Sequence, residues 1–212
     1  MDIIPKELQE YAEKHTTGES PLLRKINRDT NAQVLMPRML SGQLQGRVLS
    51  MISCMARPRV ILEIGTYTGY SAICLAEGLQ ENGKLITIDI NEELRDRVTG
   101  YFREAGLHDR IDYRIGNAAE IIPELTEKFD LVFIDADKEN YARYFDLVID
   151  RVNLNRLILA DNVLWSGKVL SDKPDKDTRA IVEFNAKVQA DKRVENVLLP
   201  IRDGIMLMRK TG

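Results

Sequence analysis

From residue 59 onward, short apolar runs rich in valine and isoleucine alternate with amphipathic stretches. Each run is apolar on both faces, a pattern typical of strands that helices cover on both sides of a sheet. Strand–helix units repeated within one sheet give a parallel, doubly wound α/β fold. The strands predicted in this way are Val60–Glu63, Leu85–Asp89, Ile111–Ile115, Leu131–Asp135 and Leu157–Asp161.

The alternation ends near the C-terminus. Only Ile201–Asp203 separate two further strand-like runs, Val194–Pro200 and Gly204–Arg209. So short a link predicts an antiparallel hairpin. The expected architecture is a mostly parallel, seven-stranded sheet with an antiparallel C-terminal hairpin and helices on both faces. This is the outline of the Rossmann-like fold of methyltransferases that use S-adenosylmethionine (SAM).

Residues 1–56 carry helical patterns only. Pro5–Lys14 is predicted as a short helix, Ser20 and Pro21 as the start of a second helix, and Pro37 as its interruption. Ser41 is predicted to cap a third helix, whose apolar face comprises Leu44, Val48, Leu49, Ile52 and Met55. The chain has 212 residues and no linker-like tract. We therefore expect one methyltransferase domain over residues 1–212, with a helical N-terminal region (1–56) and a SAM-binding α/β core (57–212).

Composition and targeting signals narrow the class of protein. The formal net charge is -3, so no general basic excess indicates nucleic acid. No apolar run approaches the roughly 18 residues that span a bilayer, and Met1–Glu7 lacks the basic start and apolar core of a signal peptide. We expect a cytoplasmic protein with no membrane partner, in which Cys54 and Cys74 are buried, reduced thiols.

Four predicted strands end in an acid: Glu63, Asp89, Asp135 and Asp161. In open α/β sheets, ligands bind beyond the carboxyl ends of the strands. A single acid at a strand end is more often a helix cap or a turn former. Four acids on one rim repel one another, so their convergence predicts a bound cation and the hydroxyl groups of a nucleoside.

The segment Glu63–Ser71 follows the first predicted strand and opens a helix with the pattern E-x-G-x-x-x-G. Gly65 and Gly69 allow a tight turn and a close approach to a ligand. A dinucleotide fold would instead show G-x-G-x-x-G with a pyrophosphate at the helix start. The leading acid would repel a pyrophosphate and attract the ammonium group of SAM. The loop therefore favours SAM over NAD and argues against a nicotinamide dehydrogenase.

Two further strand ends complete the predicted cofactor site. Asp89 is placed to accept hydrogen bonds from both ribose hydroxyls, a role shared by NAD and SAM folds. Gly116–Ala118 follow the third strand, where an adenine would lie. Asn117 is equally well read as a helix N-cap, and backbone contacts with adenine would coexist with that role.

Asp135, Asp161 and Asn162 follow neighbouring parallel strands and can converge on one ion. Two carboxylates and an amide oxygen are hard ligands that suit Mg²⁺, Mn²⁺ or Ca²⁺, and they leave positions open for two substrate oxygens. A phenol has a pKa near 10, so forming the phenolate at neutral pH costs about 4 kcal/mol. A cation on that oxygen would lower this cost. Lys138 would add positive charge near this oxygen and could accept the proton of the hydroxyl group. Trp165 is either a core residue or a wall of an aromatic pocket.

These segments together resemble the cation-dependent O-methyltransferase family that includes caffeoyl-CoA O-methyltransferases and their bacterial relatives, with catechol O-methyltransferase as a distant relative. The resemblance covers roughly residues 35–210. It implies Asp135, Asp161 and Asn162 as metal ligands, Lys138 and Asp135 as catalytic residues, and a homodimer. The implied substrate contacts are Lys138, Asn140, Tyr141 and Trp165. The implied cofactor contacts are Met39, Leu40, Ser41, Glu63, Gly65, Thr66, Tyr67, Ser71, Asp89, Ile90, Gly116, Asn117, Ala118, Asp135, Asp137 and Tyr144.

Four residues depart from the family pattern: Asn117 replaces an acid, Asn155–Arg156 replace two glycines, and Gln45 replaces an acid. The extra segments with which the plant enzymes recognise coenzyme A are not evident, so we expect a small catechol-like aromatic substrate. The alternative is a hydroxylated wobble uridine in tRNA, which some bacterial relatives methylate. A non-catalytic SAM-binding module is disfavoured by the intact set of catalytic residues. The basic track that tRNA requires would include Arg24, Lys25, Arg28, Arg38 and Arg47.

Overall fold

The computed structural model describes residues 4–212, so the first three residues of the predicted domain and of the N-terminal stretch lie outside the described residues. Its centre is a seven-stranded sheet. The strands are β1 (Val60–Ile64), β2 (Lys84–Asp89), β3 (Ile111–Ile115), β4 (Phe129–Ile134), β5 (Val152–Asp161), β6 (Val194–Leu199) and β7 (Ile205–Lys210).

The strand order is β3-β2-β1-β4-β5-β7-β6. Strands β1 to β5 pair in parallel, whereas β7 is antiparallel to both β5 and β6. The predicted fold class is therefore confirmed, including the C-terminal hairpin.

Eight α-helices accompany the sheet in the described residues of the chain. They are α1 (Lys6–Lys14), α2 (Pro21–Gln33), α3 (Gly42–Ala56), α4 (Tyr70–Ala76), α5 (Arg95–Glu104), α6 (Ala118–Glu124), α7 (Tyr141–Ile149) and α8 (Lys176–Ala190). Short 3-10 helices span Pro37–Met39, Glu92–Leu94, Lys138–Asn140 and Trp165–Leu170. Between residues 4 and 212, no helix combines the length and the apolar character needed to cross a membrane.

Each face of the sheet carries its own apolar core, because side chains alternate along a strand. Leu62 of β1 and Val132 of β4 belong to the core formed with α6, α7 and α8. Their neighbours Ile61 and Leu131 belong to the opposite core, which contains α2, α3, α4 and α5. The N-terminal helices therefore cover one face of the sheet and share a core with it.

Helix α3 differs from its prediction. Leu49 and Ile52 are buried as expected, but Met55 is 77% exposed, because the buried side is built from small and polar residues. Gly46 lies so close to α4 that an added Cβ would be 2.7 Å from a ring carbon of Tyr70. Close packing of the two helices therefore selects small side chains. The face predicted from large apolar residues was wrong at Met55.

Three local predictions had different outcomes. The Ser20 hydroxyl accepts a hydrogen bond from the Leu23 amide at 3.2 Å, which confirms the cap of α2. Ser41 precedes α3, but its side chain makes no capping hydrogen bond, because its backbone is already helical. Cys74 is buried, whereas Cys54 is exposed, so the prediction of two buried thiols was wrong for Cys54.

Strand β5 begins earlier than predicted. It starts at Val152, and Asn155 lies inside it with a φ of 61°. The pairing with β4 shifts register between Phe129 and Leu131, which accommodates this irregularity. The Asn155–Arg156 pair therefore belongs to an irregular strand.

Candidate active site

The predicted rim of acids forms at the carboxyl ends of the parallel strands. Ile134 of β4 pairs with Ala160 of β5, so the next residues, Asp135 and Asp161, lie side by side. The Asp135 amide donates to the Ile64 carbonyl at 2.8 Å, which places this acid beside the end of β1. The strand register alone therefore brings carboxylates from separate segments of the chain together.

The loop after β1 requires glycine at two positions. Gly65 has a φ of +100°, and an added Cβ would lie 1.9 Å from the Asp135 carbonyl oxygen. Gly69 adopts a left-handed conformation and begins α4. The loop borders a small pocket that brings together many of the predicted cofactor residues. The lining comprises Met39, Leu40, Ser41, Gly65, Thr66, Tyr67, Thr68, Tyr70, Ser71 and Asp135.

Glu63 is a fully buried carboxyl group next to this pocket. Its Oε2 accepts a hydrogen bond from the Thr87 hydroxyl at 2.5 Å, whereas Oε1 is buried without a partner among the described residues. Burial raises the pKa of Glu63 to about 8, the hydroxyl groups of Thr87 and Ser71 oppose the rise, and the charges of Asp135 and Asp89 add to it. Such a group gains from an incoming cation that takes up the free oxygen.

Asp89 ties the glycine loop to the end of β2. One carboxylate oxygen accepts from the amides of Thr66 at 2.9 Å and Tyr67 at 2.6 Å. The other oxygen accepts from the Asn91 amide at 2.8 Å. The neighbouring Ile90 is 78% exposed, so its side chain is available to cover a ligand.

The turn after β3 adopts the predicted cap. The Asn117 side chain accepts from the Ala119 amide at 3.0 Å at the start of α6. Gly116 has a φ of +151°, and Ala118 is buried. The turn therefore presents main-chain groups at the same edge of the sheet as Asp89, whose carbonyl accepts from the Gly116 amide at 2.8 Å.

Lys138 lies at the centre of the predicted metal and catalytic residues. Its Nζ lies 3.3 Å from Asp135 Oδ1 and 2.8 Å from Asn162 Oδ1, and it donates to the Tyr141 hydroxyl at 2.6 Å. The Lys138 side chain is only 9% exposed. A cationic nitrogen thus occupies the space between two of the three predicted metal ligands.

Asp161 is the most deeply buried of these ligands. Its Oδ2 accepts from the Gln45 amide at 2.7 Å, and Oδ1 is buried without a partner within residues 4–212. Burial raises the pKa of Asp161 to about 7, the charge of Asp135 adds to this, and Gln45 and Lys138 oppose it. Asn162 follows in a left-handed conformation, with a φ of 58°.

In the stretch of chain that the structure describes, no three histidine, cysteine or carboxylate side chains are grouped so that they could hold a metal ion together. The predicted metal site does not require one, because its third ligand is the amide of Asn162. Two carboxylates and an amide remain a chemically reasonable set for a hard cation.

Four other predicted site residues lie near Lys138 in the sequence, and one of them is Tyr141. Tyr141 is fully buried, and its hydroxyl donates to the Asp161 carbonyl at 3.0 Å. This burial weighs against the predicted contact with substrate, and the ring packs beside Lys138, whose Nζ lies 4.6 Å from the ring centroid. Asp137 accepts from the Tyr144 hydroxyl at 2.6 Å and from the Asn140 amide at 2.5 Å. These three side chains form a separate cluster beside the pocket.

Trp165 is partly buried against the core and also lies beside Lys138. Its ring centroid lies 5.7 Å from Lys138 Nζ and 5.8 Å from Lys168 Nζ. Trp165 and Ser166 both have positive φ values, so the segment after Asn162 is kinked. The kink places an aromatic surface next to Lys138.

Three further residues of the site were not predicted from the sequence: Gln45, Thr87 and Arg202. Thr87 pairs with Glu63 across β1 and β2. A polar residue in an otherwise apolar strand, in register with a buried acid, is a signal that could have identified it. Gln45 was noted only as a departure from the family pattern, and Arg202 carries no comparable local signal.

Known proteins share both the sequence and the fold of this chain. A family model described as O-methyltransferase matches residues 13–211. Caffeoyl-CoA O-methyltransferase 1 of Eucalyptus globulus is 36% identical over 185 residues, which cover 81% of this chain and 75% of that protein.

Solved structures agree with this relationship. The crystal structure of the Podospora anserina methyltransferase PaMTH1, bound to SAH, has a TM-score of 0.90 and 27% identity and covers 99% of this chain and 97% of that one. The O-methyltransferase TomG of Streptomyces achromogenes, in complex with SAM, has a TM-score of 0.88 and 26% identity, with 99% and 100% coverage. This chain therefore belongs to the O-methyltransferase family of the caffeoyl-CoA O-methyltransferase type and is a SAM-dependent O-methyltransferase.

Proposed function

We propose that this enzyme methylates one hydroxyl group of a small, catechol-like aromatic and that a divalent cation held by Asp135, Asp161 and Asn162 assists the reaction. The observation that carries the proposal is the buried, unpartnered Oδ1 of Asp161 beside a second carboxylate. A buried carboxylate oxygen without a partner is costly unless a ligand completes it. The position of the Lys138 ammonium next to Asp135 and Asn162 supports the same assignment.

The donor set favours Mg²⁺, with Mn²⁺ or Ca²⁺ as substitutes, because all three ligands are oxygen atoms. When bound, the cation would stabilise the phenolate form of the substrate, whose formation costs about 4 kcal/mol at neutral pH. Two adjacent hydroxyl groups on the substrate would provide two further oxygen ligands. A catechol therefore fits this site better than a simple phenol does.

Lys138 is the proposed catalytic residue. Its Nζ supplies positive charge to the developing phenolate and can receive the hydroxyl proton. Asp135 and Tyr141 fix its position through contacts of 3.3 Å and 2.6 Å. Trp165 is proposed to cover the aromatic ring of the substrate, and Asn140 to contact its edge.

The cofactor is proposed to bind in the small pocket beside the glycine loop and along the carboxyl ends of the parallel strands. Glu63 would accept the ammonium group of SAM on its free Oε1, and Asp89 would accept the ribose hydroxyls. The turn with Asn117 and Ala118 would contact the adenine, with Ile90 covering it. The Met39–Ser41 segment and the Gly65–Ser71 loop, with Asp137 and Tyr144 behind Asp135, would enclose the rest of the cofactor.

Ion pairs within the predicted basic track weigh against the tRNA alternative. Lys25 is hydrogen-bonded to Glu104, Arg28 lies 3.6 Å from Asp29, and Arg47 lies 2.6 Å from Glu77. Pairing with acids reduces the charge available to phosphate groups. We therefore place the small aromatic first and keep the hydroxylated wobble uridine as the competing acceptor.

The remaining expectations are also proposals. Shared packing of α2 and α3 with the sheet supports one domain that includes residues 4–56 and 57–212. A cytoplasmic location remains a proposal from the sequence, and the family resemblance implies a homodimer. Light scattering coupled to size-exclusion chromatography would measure the subunit number.

The deciding experiment is methyl transfer from labelled SAM to a catechol panel, to matched mono-phenols and to tRNA from a strain that lacks this protein. Each acceptor is tested with Mg²⁺ and with EDTA. We expect Mg²⁺-dependent label in the catechols and little in the mono-phenols. Equal transfer in EDTA would refute the metal mechanism, and efficient label in tRNA at much lower acceptor concentration would replace the small-molecule proposal.

A further inference from the structure

We infer that Gln45 is a positioning residue that orients the Asp161 carboxylate toward the cation, and that Arg202 fixes the orientation of Gln45. The inference rests on the metal site proposed above. It adds two residues from distant segments of the chain, one on α3 and one in the turn between β6 and β7.

The contact between Gln45 and Asp161 is short and buried. Gln45 Nε2 donates to Asp161 Oδ2 at 2.7 Å, and the two residues are 1% and 4% exposed. Water therefore does not compete for this hydrogen bond. Because Oδ2 is bound by the amide, the free oxygen of Asp161 is Oδ1, which has no other partner in the described chain.

Arg202 determines which end of the Gln45 amide faces Asp161. Its Nη1 donates to Gln45 Oε1 at 3.0 Å. A guanidinium group has only donors, so it requires the amide oxygen on its side and leaves the NH₂ group for the carboxylate. If the Gln45 amide were flipped, its NH₂ group would face the Arg202 guanidinium, and its oxygen would face the Asp161 carboxylate. The amide therefore has one stable orientation.

Arg202 also connects this contact to the cofactor segment. The same Nη1 donates to the Leu40 carbonyl at 3.1 Å, and Leu40 lines the proposed SAM pocket. Arg202 adopts a φ of +51° in the tight turn of the hairpin. Its side chain thus starts from a fixed backbone position and supports both the proposed metal site and the proposed cofactor site.

In this chain, where the family pattern has an acid, Gln45 donates to Asp161 and accepts from Arg202 without adding charge. A glutamate at position 45 would place a second negative charge next to Asp161. An apolar side chain would leave both Asp161 Oδ2 and the Arg202 guanidinium without their partner. Removing the group that orients a metal ligand typically weakens metal binding about 10- to 100-fold.

The test measures Mn²⁺ affinity directly, by electron paramagnetic resonance of free Mn²⁺, in the SAM-free enzyme. We expect Gln45→Met to weaken Mn²⁺ binding at least about tenfold while its SAM affinity stays within about twofold of wild type. The turnover number should recover when Mn²⁺ is saturating, because Gln45 does not touch the reacting atoms. Gln45→Asn keeps a polar group in the buried position but is too short to reach Asp161, and the same loss is expected.

Gln43 provides a matched control on the same helix. Its Nε2 donates to the carbonyls of Glu13 at 3.1 Å and Thr16 at 3.2 Å, away from the carboxylates. Gln43→Met should therefore lower thermal stability and leave Mn²⁺ affinity unchanged. Arg202→Met should weaken both Mn²⁺ and SAM binding, because it loses its contacts with Gln45 and Leu40.

The outcomes separate the two proposals. If wild type does not bind Mn²⁺, or if Asp161→Ala binds it as tightly as wild type, the proposed metal site is wrong. If Asp161→Ala loses binding while folded Gln45→Met or Gln45→Asn retains full affinity, the metal site stands and the positioning role of Gln45 is refuted.

Discussion

Because Glu63 is buried, the free energy of unfolding of the SAM-free enzyme should fall as the pH rises. The pKa of Glu63 rises from 4.5 to about 8, chiefly because burial disfavours the charged form. Between these values the folded chain holds a proton that the unfolded chain has released, so the free energy of unfolding falls as pH rises. At about 1.36 kcal/mol per pKa unit, the whole loss approaches roughly 5 kcal/mol above pH 8.

Glu63→Gln isolates this contribution, because glutamine has nearly the same shape and does not titrate. Urea unfolding in EDTA, from about pH 5 to about pH 9, gives the free energy of unfolding of both proteins. Asp161, whose pKa is raised to about 7, titrates in both proteins and cancels in the difference. The stability of wild type relative to the variant should fall by about 1.4 kcal/mol per pH unit between pH 5 and pH 8.

The free energy of unfolding of Glu63→Gln at a single pH is a poorer test than the pH dependence of the difference between the two proteins. A buried amide that lacks a partner costs about 1–3 kcal/mol at every pH and shifts the whole curve. The slope of the difference carries the information, and parallel curves for the two proteins would refute the assignment of a buried, protonated Glu63. The same variant should bind SAM more weakly, and wild type should release a proton on binding SAM below pH 8, which calorimetry in buffers of different ionisation enthalpy detects.

Three further substitutions test other regions of the site. Gly65→Ala should abolish SAM binding and lower the free energy of unfolding in urea by about 3 kcal/mol or more. The reason is that the added Cβ would lie 1.9 Å from the Asp135 carbonyl oxygen, at a residue with a φ of +100°. A stable variant that binds SAM normally would contradict this loop geometry. Lys138→Met should lower the turnover number about 10²- to 10⁴-fold with SAM affinity retained, and an unchanged turnover number would exclude Lys138 from catalysis. Asp161→Ala should abolish Mg²⁺-dependent turnover and weaken SAM binding without eliminating it, as equilibrium dialysis with labelled SAM would measure.

Local pattern and strand topology explain why much of the site was predictable. Asp135 and Asp161 follow apolar strands that are adjacent in the sheet, so knowledge of the fold class places them side by side. The glycine loop was predictable because an acid and two glycines occur within one short segment. In these cases the role of a residue could be predicted from the residues next to it in the sequence.

Gln45 and Arg202 were not predictable in this way. They approach each other and Asp161 only after α3 packs on the sheet and the C-terminal hairpin closes. A polar residue in the middle of a helix is more often solvated than buried. The error at Met55 has the same origin, since the buried side of α3 was decided by its contact with α4 and not by the hydrophobicity of its own residues.

The position of β7 between β5 and β6 has a consequence for synthesis on the ribosome. The amides of Val163 and Leu164, next to the proposed metal ligands, donate to the carbonyls of Gly204 and Asp203, so the loop that carries Asn162 is held by residues just before β7. A chain synthesised from the N-terminus completes β5 well before β7, and it completes β6 only just before β7. The nascent chain therefore cannot assemble its proposed metal site until β7 has left the exit tunnel, and until then the side of β5 that faces β7 is an unpaired sheet edge.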